Sequence, residues 1–289
     1  FLSERKVGAP VSMGRIQARY FYKENGGKGS ALNFGIEKAK GDIIMTIDAD
    51  CVLTPATVGN FVRAFDNPKV MAAVGNVKIA NTETMVGVVQ YLEFLFSFYF
   101  KKAESVLGMI YIIGGAAGAF RREVFNTVGV FDHTTITEDI ELTVRIQKAG
   151  MKVVYASEAV VYTEGASDLA GLMKQRMRWK KGMFETLGKH GELLFSSNPQ
   201  HNKALCWFLL PLIYFGNVQL GLELFFLAFL YIYSFLTSDF SSFVSGIVIV
   251  SSMFFIIMFF EGHDNRTYNT FGRLGFFALA PIGWLLFYL

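Results

Sequence analysis

The 289-residue sequence contains few cysteines and, in its last third, few charges. Cys51 and Cys206 are its only cysteines, and two unrelated cysteines fit a reducing cytosolic environment better than a disulfide scaffold. Residues 1–200 carry 24 Lys or Arg and 20 Asp or Glu, whereas residues 201–289 carry 3 and 4. The composition therefore predicts a charged globular domain over 1–198 and an apolar domain over 199–289.

Other features are missing as well. No basic region interleaved with aromatic residues appears, so the net charge of +3 does not indicate a nucleic-acid partner. The chain begins without an initiator Met or a signal-peptide pattern, and it ends inside an apolar run. We therefore expect it to be an internal piece of a longer protein.

The apolar domain is predicted to be embedded in a membrane. Three nearly uncharged stretches, about 213–236, 240–260 and 274–289, each suit a transmembrane helix, the last cut off by the chain end. Buried helices of a large soluble protein are the alternative, which three consecutive runs of this kind make less favourable.

The loops between these stretches predict an orientation. The 237–239 loop has no Lys or Arg, whereas the 261–273 loop contains Arg266 and Arg273. By the positive-inside rule, the second loop and the charged domain should face the cytosol. We therefore expect a multi-pass protein of the cell membrane with a cytoplasmic catalytic domain.

In the charged domain, two aspartates follow a predicted strand. Residues 43–47 form an apolar, β-branched run typical of an interior strand in a parallel sheet, and Asp48 and Asp50 come directly after it. In extended backbone these side chains would point to the same side, as a site for Mg²⁺ or Mn²⁺ with a phosphate requires. The alternative is ordinary turn chemistry, because Asp is common where strands end.

A glycine-rich loop precedes this strand. Residues 23–30 include Gly26, Gly27 and Lys28, and Ser30 could cap a helix over 31–40. Glycines and a lysine before a helix could approach phosphates, although the spacing matches neither the P-loop nor the dinucleotide-binding fingerprint. A solvated turn with an exposed lysine is the alternative.

Periodicity and turn residues predict the remaining elements. Residues 84–100 form an apolar stretch that could belong to the core or lie on a bilayer surface. The others are a helix over 55–65, one or two strands over 69–79, a strand within 109–120 that opens into a small-residue loop, a helix from about 123, a helix over 140–149, and strands over 151–156 and 159–162.

Two further segments are candidates for the site. Asp139, after Thr137 and Glu138, begins an amphipathic helix and could be a general base, or it could simply complement the helix dipole. Gln175, Arg178 and Trp179 would share one face of a basic helix, where Arg suits a pyrophosphate and Trp a sugar ring. Attraction of that helix to anionic lipid headgroups is the alternative, and both can hold together.

These elements resemble a known family when they are taken in order. The set Asp48-Ala49-Asp50, Gly114–Gly118, Thr137-Glu138-Asp139 and Gln175-x-x-Arg178-Trp179 is similar to the membrane-bound family-2 glycosyltransferases that make polysaccharides, such as the cellulose, chitin and hyaluronan synthases. Segments 75–79, 93–94 and 261–271, with Pro281, resemble most the bacterial poly-β-1,6-N-acetylglucosamine synthases.

The resemblance implies an α/β, GT-A-like fold with a mixed, mostly parallel sheet, followed by transmembrane helices. It implies Asp139 as the base. Donor contacts would come from Lys28, Asp48, Asp50 and Arg178, with the divalent metal, Mg²⁺ or Mn²⁺, on Asp50 and Asp48. Gly115, Glu138, Gln175 and Trp179 would contact the acceptor. The family's first strand and nucleotide-binding aspartates are absent from residues 1–19, and we expect them upstream.

The expected function is the inverting, metal-dependent transfer of a sugar from a UDP-sugar to a growing β-linked polysaccharide. The expected sugar is N-acetylglucosamine, and the polymer is expected to be extruded across the membrane. A small membrane accessory subunit is a further possible partner. Two alternatives stay open. One is non-processive transfer to a lipid acceptor, and the other is a catalytically dead scaffold or transport subunit.

Overall fold

The computed structural model describes residues 10–13, 16–215, 232–237 and 241. The strands are β1 Pro10–Met13, β2 Ile16–Arg19, β3 Ile43–Ile47, β4 Val52–Leu53, β5 Val70–Ile79, β6 Ala117–Arg121 and β7 Lys152–Thr163. The α-helices are α1 Lys28–Lys38, α2 Thr57–Ala64, α3 Met85–Leu107, α4 Arg122–Val128, α5 Glu138–Lys148 and α6 Leu169–Lys189. A 3₁₀ turn at Gly191–Leu193 and a π-helical turn at Leu205–Leu209 follow.

Five strands form the central sheet in the order β3-β6-β5-β7-β4. The sheet is mixed, as expected, but three of its four pairings are antiparallel and only β5–β7 is parallel. The expectation of a mostly parallel sheet is therefore wrong at the level of pairing. The reason is that β6 inserts between β3 and β5 and runs against both.

β1 and β2 form a separate two-stranded antiparallel sheet. Among the described residues, none before β3 joins the five-stranded sheet. The expectation that the first strand of the nucleotide site lies upstream of the given residues stays a prediction.

The strand before the two aspartates has the predicted bounds but a different setting. β3 lies at the edge of the described sheet and alternates buried Ile44 and Thr46 with partly exposed neighbours. After it, the chain turns at once, because the Cys51 N–H donates to the Asp48 carbonyl at 3.1 Å. The extended backbone expected to align Asp48 with Asp50 is therefore absent, and this part of the prediction was wrong.

Most predicted helices are present within a few residues of their expected bounds, and 69–79 is a single strand. The segment 109–120 has the reverse order, since its loop comes before β6. Residues 152–163 form one strand, β7, with an irregularity opposite Gly75 and Asn76, where two strands were expected. α1 starts after Gly27, whose φ of 84° is a backbone conformation that glycine adopts readily. No side chain caps the helix, so the predicted cap by Ser30 was wrong.

Alternating side chains on the strands build apolar layers on both faces of the sheet. On one face, Ala72 and Val74 pack with residues of α1, α4 and α5. On the other, Ala73 packs with Phe61 and Phe65 at α2. A third cluster joins α5 to the C-terminal half of α6 and to the 205–210 turn. α5 is therefore held between the sheet and α6.

The predicted membrane spans lie mostly outside the described residues: all of 274–289, all of 240–260 except residue 241, and most of 213–236. Among the helices in the described part of the chain, none has both the length and the apolarity needed to cross a bilayer. The basic segment that was expected to be interfacial is helical, as α6.

A polar network fastens the end of α6 to α5. The Glu141 carboxylate is 1% exposed and lies 3.2 Å from His190 Nε2. Its two oxygens share a bifurcated hydrogen bond from the single Arg145 Nε–H, each at 2.9 Å. Burial alone would raise the pKa of Glu141, but the hydrogen bonds from His190 and Arg145 and the charges of Arg145 and Lys189 lower it to about 2. The paired carboxylate is thus favoured over its protonated form.

We predict that Glu141→Gln lowers the stability of the protein by about 3 kcal/mol at neutral pH, because it leaves buried partners unpaired. The pKa of Glu141 is lowered on folding, so its contribution is full above the ordinary value of 4.5 and is lost as the pH falls towards 2. The gap in melting temperature between wild type and variant should shrink over that range. Exposed Glu123→Gln is the control, and a gap independent of pH would contradict the assignment.

Candidate active site

A lysine at the start of α1 connects carboxylates from two distant elements. Lys28 Nζ lies 2.6 Å from Asp48 Oδ1, at the carboxyl end of β3, and 3.7 Å from Glu138 Oε1, at the start of α5. Burial would lower the pKa of Lys28, but Asp48, Glu138 and Asp139 together raise it above 10.5. Lys28 is therefore a fixed positive charge at the centre of an acidic site.

Glu138 was predicted from the resemblance to contact the acceptor, and the structure places it beside Lys28. Its side chain is 10% exposed. Burial raises the pKa of Glu138, the charge of Asp139 raises it further, and the charges of Lys28 and Arg178 act in the opposite direction. Glu138 is thus within electrostatic range of both Lys28 on α1 and Arg178 on α6.

The candidate base, Asp139, is held by backbone groups on both oxygens. Its Oδ2 accepts from the Gly115 N–H and its Oδ1 from the Ile140 N–H, each at 2.9 Å. A second contact connects the same two segments, since the Ile113 N–H donates to Thr143 Oγ at 2.9 Å. The carboxylate therefore has a defined orientation and remains partly exposed, as a group that takes a proton from a substrate requires.

Gly115 lies close to both the lysine and the candidate base. A Cβ there would lie 2.4 Å from Lys28 Nζ and 3.6 Å from Asp139 Oδ2. Lys28, Gly115 and Asp139 were predicted separately as donor, acceptor and catalytic residues. The structure brings all three together.

α6 contributes the candidate pyrophosphate and sugar contacts. Arg178 is exposed and Trp179 is partly exposed. The helix approaches Thr137 so closely that a Cβ on Gly182 would lie 2.3 Å from Thr137 Oγ1. Glu185 Oε2 also accepts from the Ile136 N–H at 3.4 Å. These contacts place α6 against the segment that carries Glu138 and Asp139.

The carboxylate oxygens of Asp48 and Asp50 are suitable ligands for a hard divalent cation, but they supply only part of a coordination shell. Asp50 is exposed, and Asp48 is paired with an ammonium group, which shows that its carboxylate accepts a cation at this point. In the described part of the chain, no three His, Cys, Asp or Glu side chains form a metal-binding group. Mg²⁺ and Mn²⁺ commonly take one or two carboxylates and complete their shell with phosphate and water, so the residues fit that use.

Sequence reasoning assigned no role to Glu93 and Arg176, which the structure pairs. Arg176 lies within the Gln175–Trp179 segment but points away from Arg178 into the protein, where it forms an ion pair with Glu93 of α3. An acidic residue within the apolar 84–100 stretch was the available signal, because buried charges are nearly always paired. The partner could not be identified from a separation of 83 residues.

With the fold and the site described, the comparisons with known proteins identify the family. Residues 5–182 match Glycosyltransferase like family 2, and the chain belongs to that family. It is thus a glycosyltransferase with a GT-A-like fold and a mixed sheet.

Among curated proteins, the chain is 32% identical over 167 residues to the poly-beta-1,6-N-acetyl-D-glucosamine synthase of Staphylococcus aureus strain COL, covering 57% of this chain and 40% of that enzyme. The Staphylococcus epidermidis synthase gives 32% over 165 residues, with 56% and 40% covered. The match therefore spans about two fifths of the length of these relatives. Among solved structures, the Pyrobaculum calidifontis mannosyltransferase PcManGT, in complex with GDP-Man and Mn²⁺, gives 23% identity and a TM-score of 0.47, covering 62% of this chain and 47% of that one.

We predict that Gly182→Ala impairs transfer, because the added methyl group must displace Thr137 or move α6 away from Asp139. Overpacking of this kind typically costs about 1–3 kcal/mol. Gly188→Ala on the same helix is the matched control, since a Cβ there meets nothing within 4 Å. Its loss of a helical glycine should stabilise the protein by up to about 1 kcal/mol. Melting temperature and the rate of UDP release measure both effects, and equal behaviour of the two variants would contradict the close contact.

Proposed function

We propose that this chain is the catalytic part of a membrane-bound synthase that transfers N-acetylglucosamine from UDP-N-acetylglucosamine to a growing β-linked polysaccharide. The observation that carries the proposal is the convergence of Asp48 and Glu138 on Lys28, with Gly115 in contact with both Lys28 and Asp139. Similarity to the staphylococcal synthases supports the choice of sugar and of a polymeric product. Extrusion across the bilayer and a cytoplasmic catalytic domain are part of the proposal.

The arrangement separates the two tasks of a sugar transfer. Lys28 and Arg178 are the cations available to a leaving diphosphate, and Asp139 is the oriented carboxylate available to an acceptor hydroxyl. Asp139 would take the hydroxyl proton as the acceptor oxygen bonds to the anomeric carbon and the bond to the diphosphate breaks. A single displacement of this kind inverts the anomeric centre and converts an α-linked donor into a β-linkage.

Asp48 and Asp50 are the residues that would hold Mg²⁺ or Mn²⁺. The chemistry supplied by the bound metal is neutralisation of the negative charge on the diphosphate. Lys28 beside Asp48 adds a positive charge from the protein itself. The leaving group therefore needs no proton from a protein acid.

We predict that Asp139→Asn retains donor binding and loses transfer by about 10²–10⁴-fold, the usual contribution of a general base. The amide oxygen can still accept from Gly115, so the loop should keep its place. The measurement is UDP release and polymer yield in membranes containing the full-length protein, with UDP binding as the second readout. Exposed Asp66→Asn is the control. Near-normal polymer synthesis by Asp139→Asn would overturn its role as the base.

A second prediction concerns the metal. Chelation with EDTA should abolish UDP release, and Mg²⁺ or Mn²⁺ should restore it. Asp50→Asn should remove the tightening of UDP binding by Mn²⁺, because the exposed turn then offers one carboxylate fewer. UDP binding measured with and without Mn²⁺ decides the matter. Full activity in EDTA would contradict the metal dependence.

The product distinguishes the remaining alternatives. Membranes supplied with UDP-N-acetylglucosamine should yield a polymer, whereas a non-processive enzyme would yield a lipid carrying a single sugar. A complete absence of UDP release from any UDP-sugar would favour a catalytically dead scaffold.

A further inference from the structure

Arg176 is a buried cation in the middle of α6. Its side chain is 7% exposed, and Nη2 forms an ion pair with Glu93 Oε2 of α3. Burying two charges is costly, and an apolar pair of similar volume is often as stable or more stable. Fold stability alone therefore gives little reason for a charged pair at this position.

The other contacts of the same guanidinium lie on the proposed acceptor residues. Nη1 donates to Gln175 Oε1 at 3.1 Å, and the guanidinium carbon lies 4.3 Å from the centre of the Trp179 ring. A planar guanidinium at this distance stacks on an indole and restricts its orientation. Arg176 thus contacts both Gln175 and Trp179 while Glu93 holds it in place.

We propose that Arg176 is a positioning residue that, anchored by Glu93, covers one face of the Trp179 indole and leaves the opposite face for the acceptor sugar ring. This inference rests on the proposed function and goes beyond it by stating how the acceptor platform is oriented. Glu93 reaches the acceptor only through Arg176, so α3 takes part in acceptor binding without contacting the sugar.

Arg176→Lys is the variant that isolates the planar group. Lysine keeps a positive charge for Glu93 but cannot stack on the ring and contact Gln175 at the same time. We expect the apparent KM for an N-acetylglucosamine oligosaccharide acceptor to rise about tenfold, with the KM for UDP-N-acetylglucosamine unchanged. A merely structural role would reduce the active fraction and leave the acceptor KM as it was. Lys174→Gln, an exposed change on the same helix, is the control.

Glu93→Gln is the second variant, in case Arg176→Lys does not fold. It preserves the shape of the side chain and removes the charge that anchors Arg176. We expect a smaller rise in acceptor KM than for Arg176→Lys, because the stacked guanidinium remains but is less restricted. An acceptor KM equal to that of wild type in both variants would overturn the proposal.

A readout that does not depend on turnover keeps this inference separate from the proposed function. The near-ultraviolet circular dichroism that wild type shows and Trp179→Phe lacks reports the fixed orientation of that indole. Arg176→Lys in the full-length protein should lose most of this signal, while Lys174→Gln keeps it. Retention of the signal in Arg176→Lys would overturn the positioning role. Absence of UDP release by wild type would instead refute the proposed function, and the spectra would still decide whether Arg176 orients Trp179.

Discussion

The site depends on one positive charge placed among carboxylates. Asp48, Glu138 and Asp139 come from the end of β3 and the start of α5, and without a cation their mutual repulsion would oppose packing α5 against the sheet. Lys28 supplies that cation from the first residue of α1. Two glycines make this geometry possible: Gly27 lets the chain enter α1 at a positive φ, and Gly115 leaves room for the ammonium group.

A second constraint is the close packing of α6 on the segment before α5. Gly182 allows this approach, and the Glu141 network with His190 fastens the far end of the helix. Arg178 lies on the same helix, one turn before Gly182, and its side chain is exposed. The candidate base and the candidate diphosphate contact therefore belong to one packed unit of two helices. Substrate contacts that must act in the same step benefit from such a fixed relation.

Local patterns in the sequence predict much of this fold. The apolar run at Ile43–Ile47 defines β3 to the residue, and the amphipathic pattern after Thr137 defines α5 within two residues. What they do not predict is pairing. β3 pairs with β6, whose first residue comes 70 positions after the end of β3, and no local signal specifies that partner. The same limit explains the error about the sheet being mostly parallel.

The site shows the same division. Lys28 and Asp139 were noted from a glycine-rich loop and a helix start, whereas Gly115 was assigned a role only through the family resemblance. Their mutual contacts follow from tertiary packing, as does the link between Lys28 and Glu138. The position of Asp50 was misjudged because a turn replaced the expected extended backbone after Asp48. Arg176 was overlooked because the side chains of a basic helix are expected to be exposed to solvent, and its buried partner Glu93 is distant in the sequence.

The backbone contact to Asp139 connects these two parts of the site. The Gly115 N–H donates to the carboxylate, and the Lys28 ammonium group lies where a Cβ of residue 115 would point. A displacement of this residue would therefore change the orientation of the candidate base and the position of the cation beside Asp48 at the same time. Thr143 adds a second hydrogen bond between the loop and α5. The small-residue loop thus lies between the candidate donor contact, Lys28, and the candidate base, Asp139, and it contacts both through a residue without a side chain.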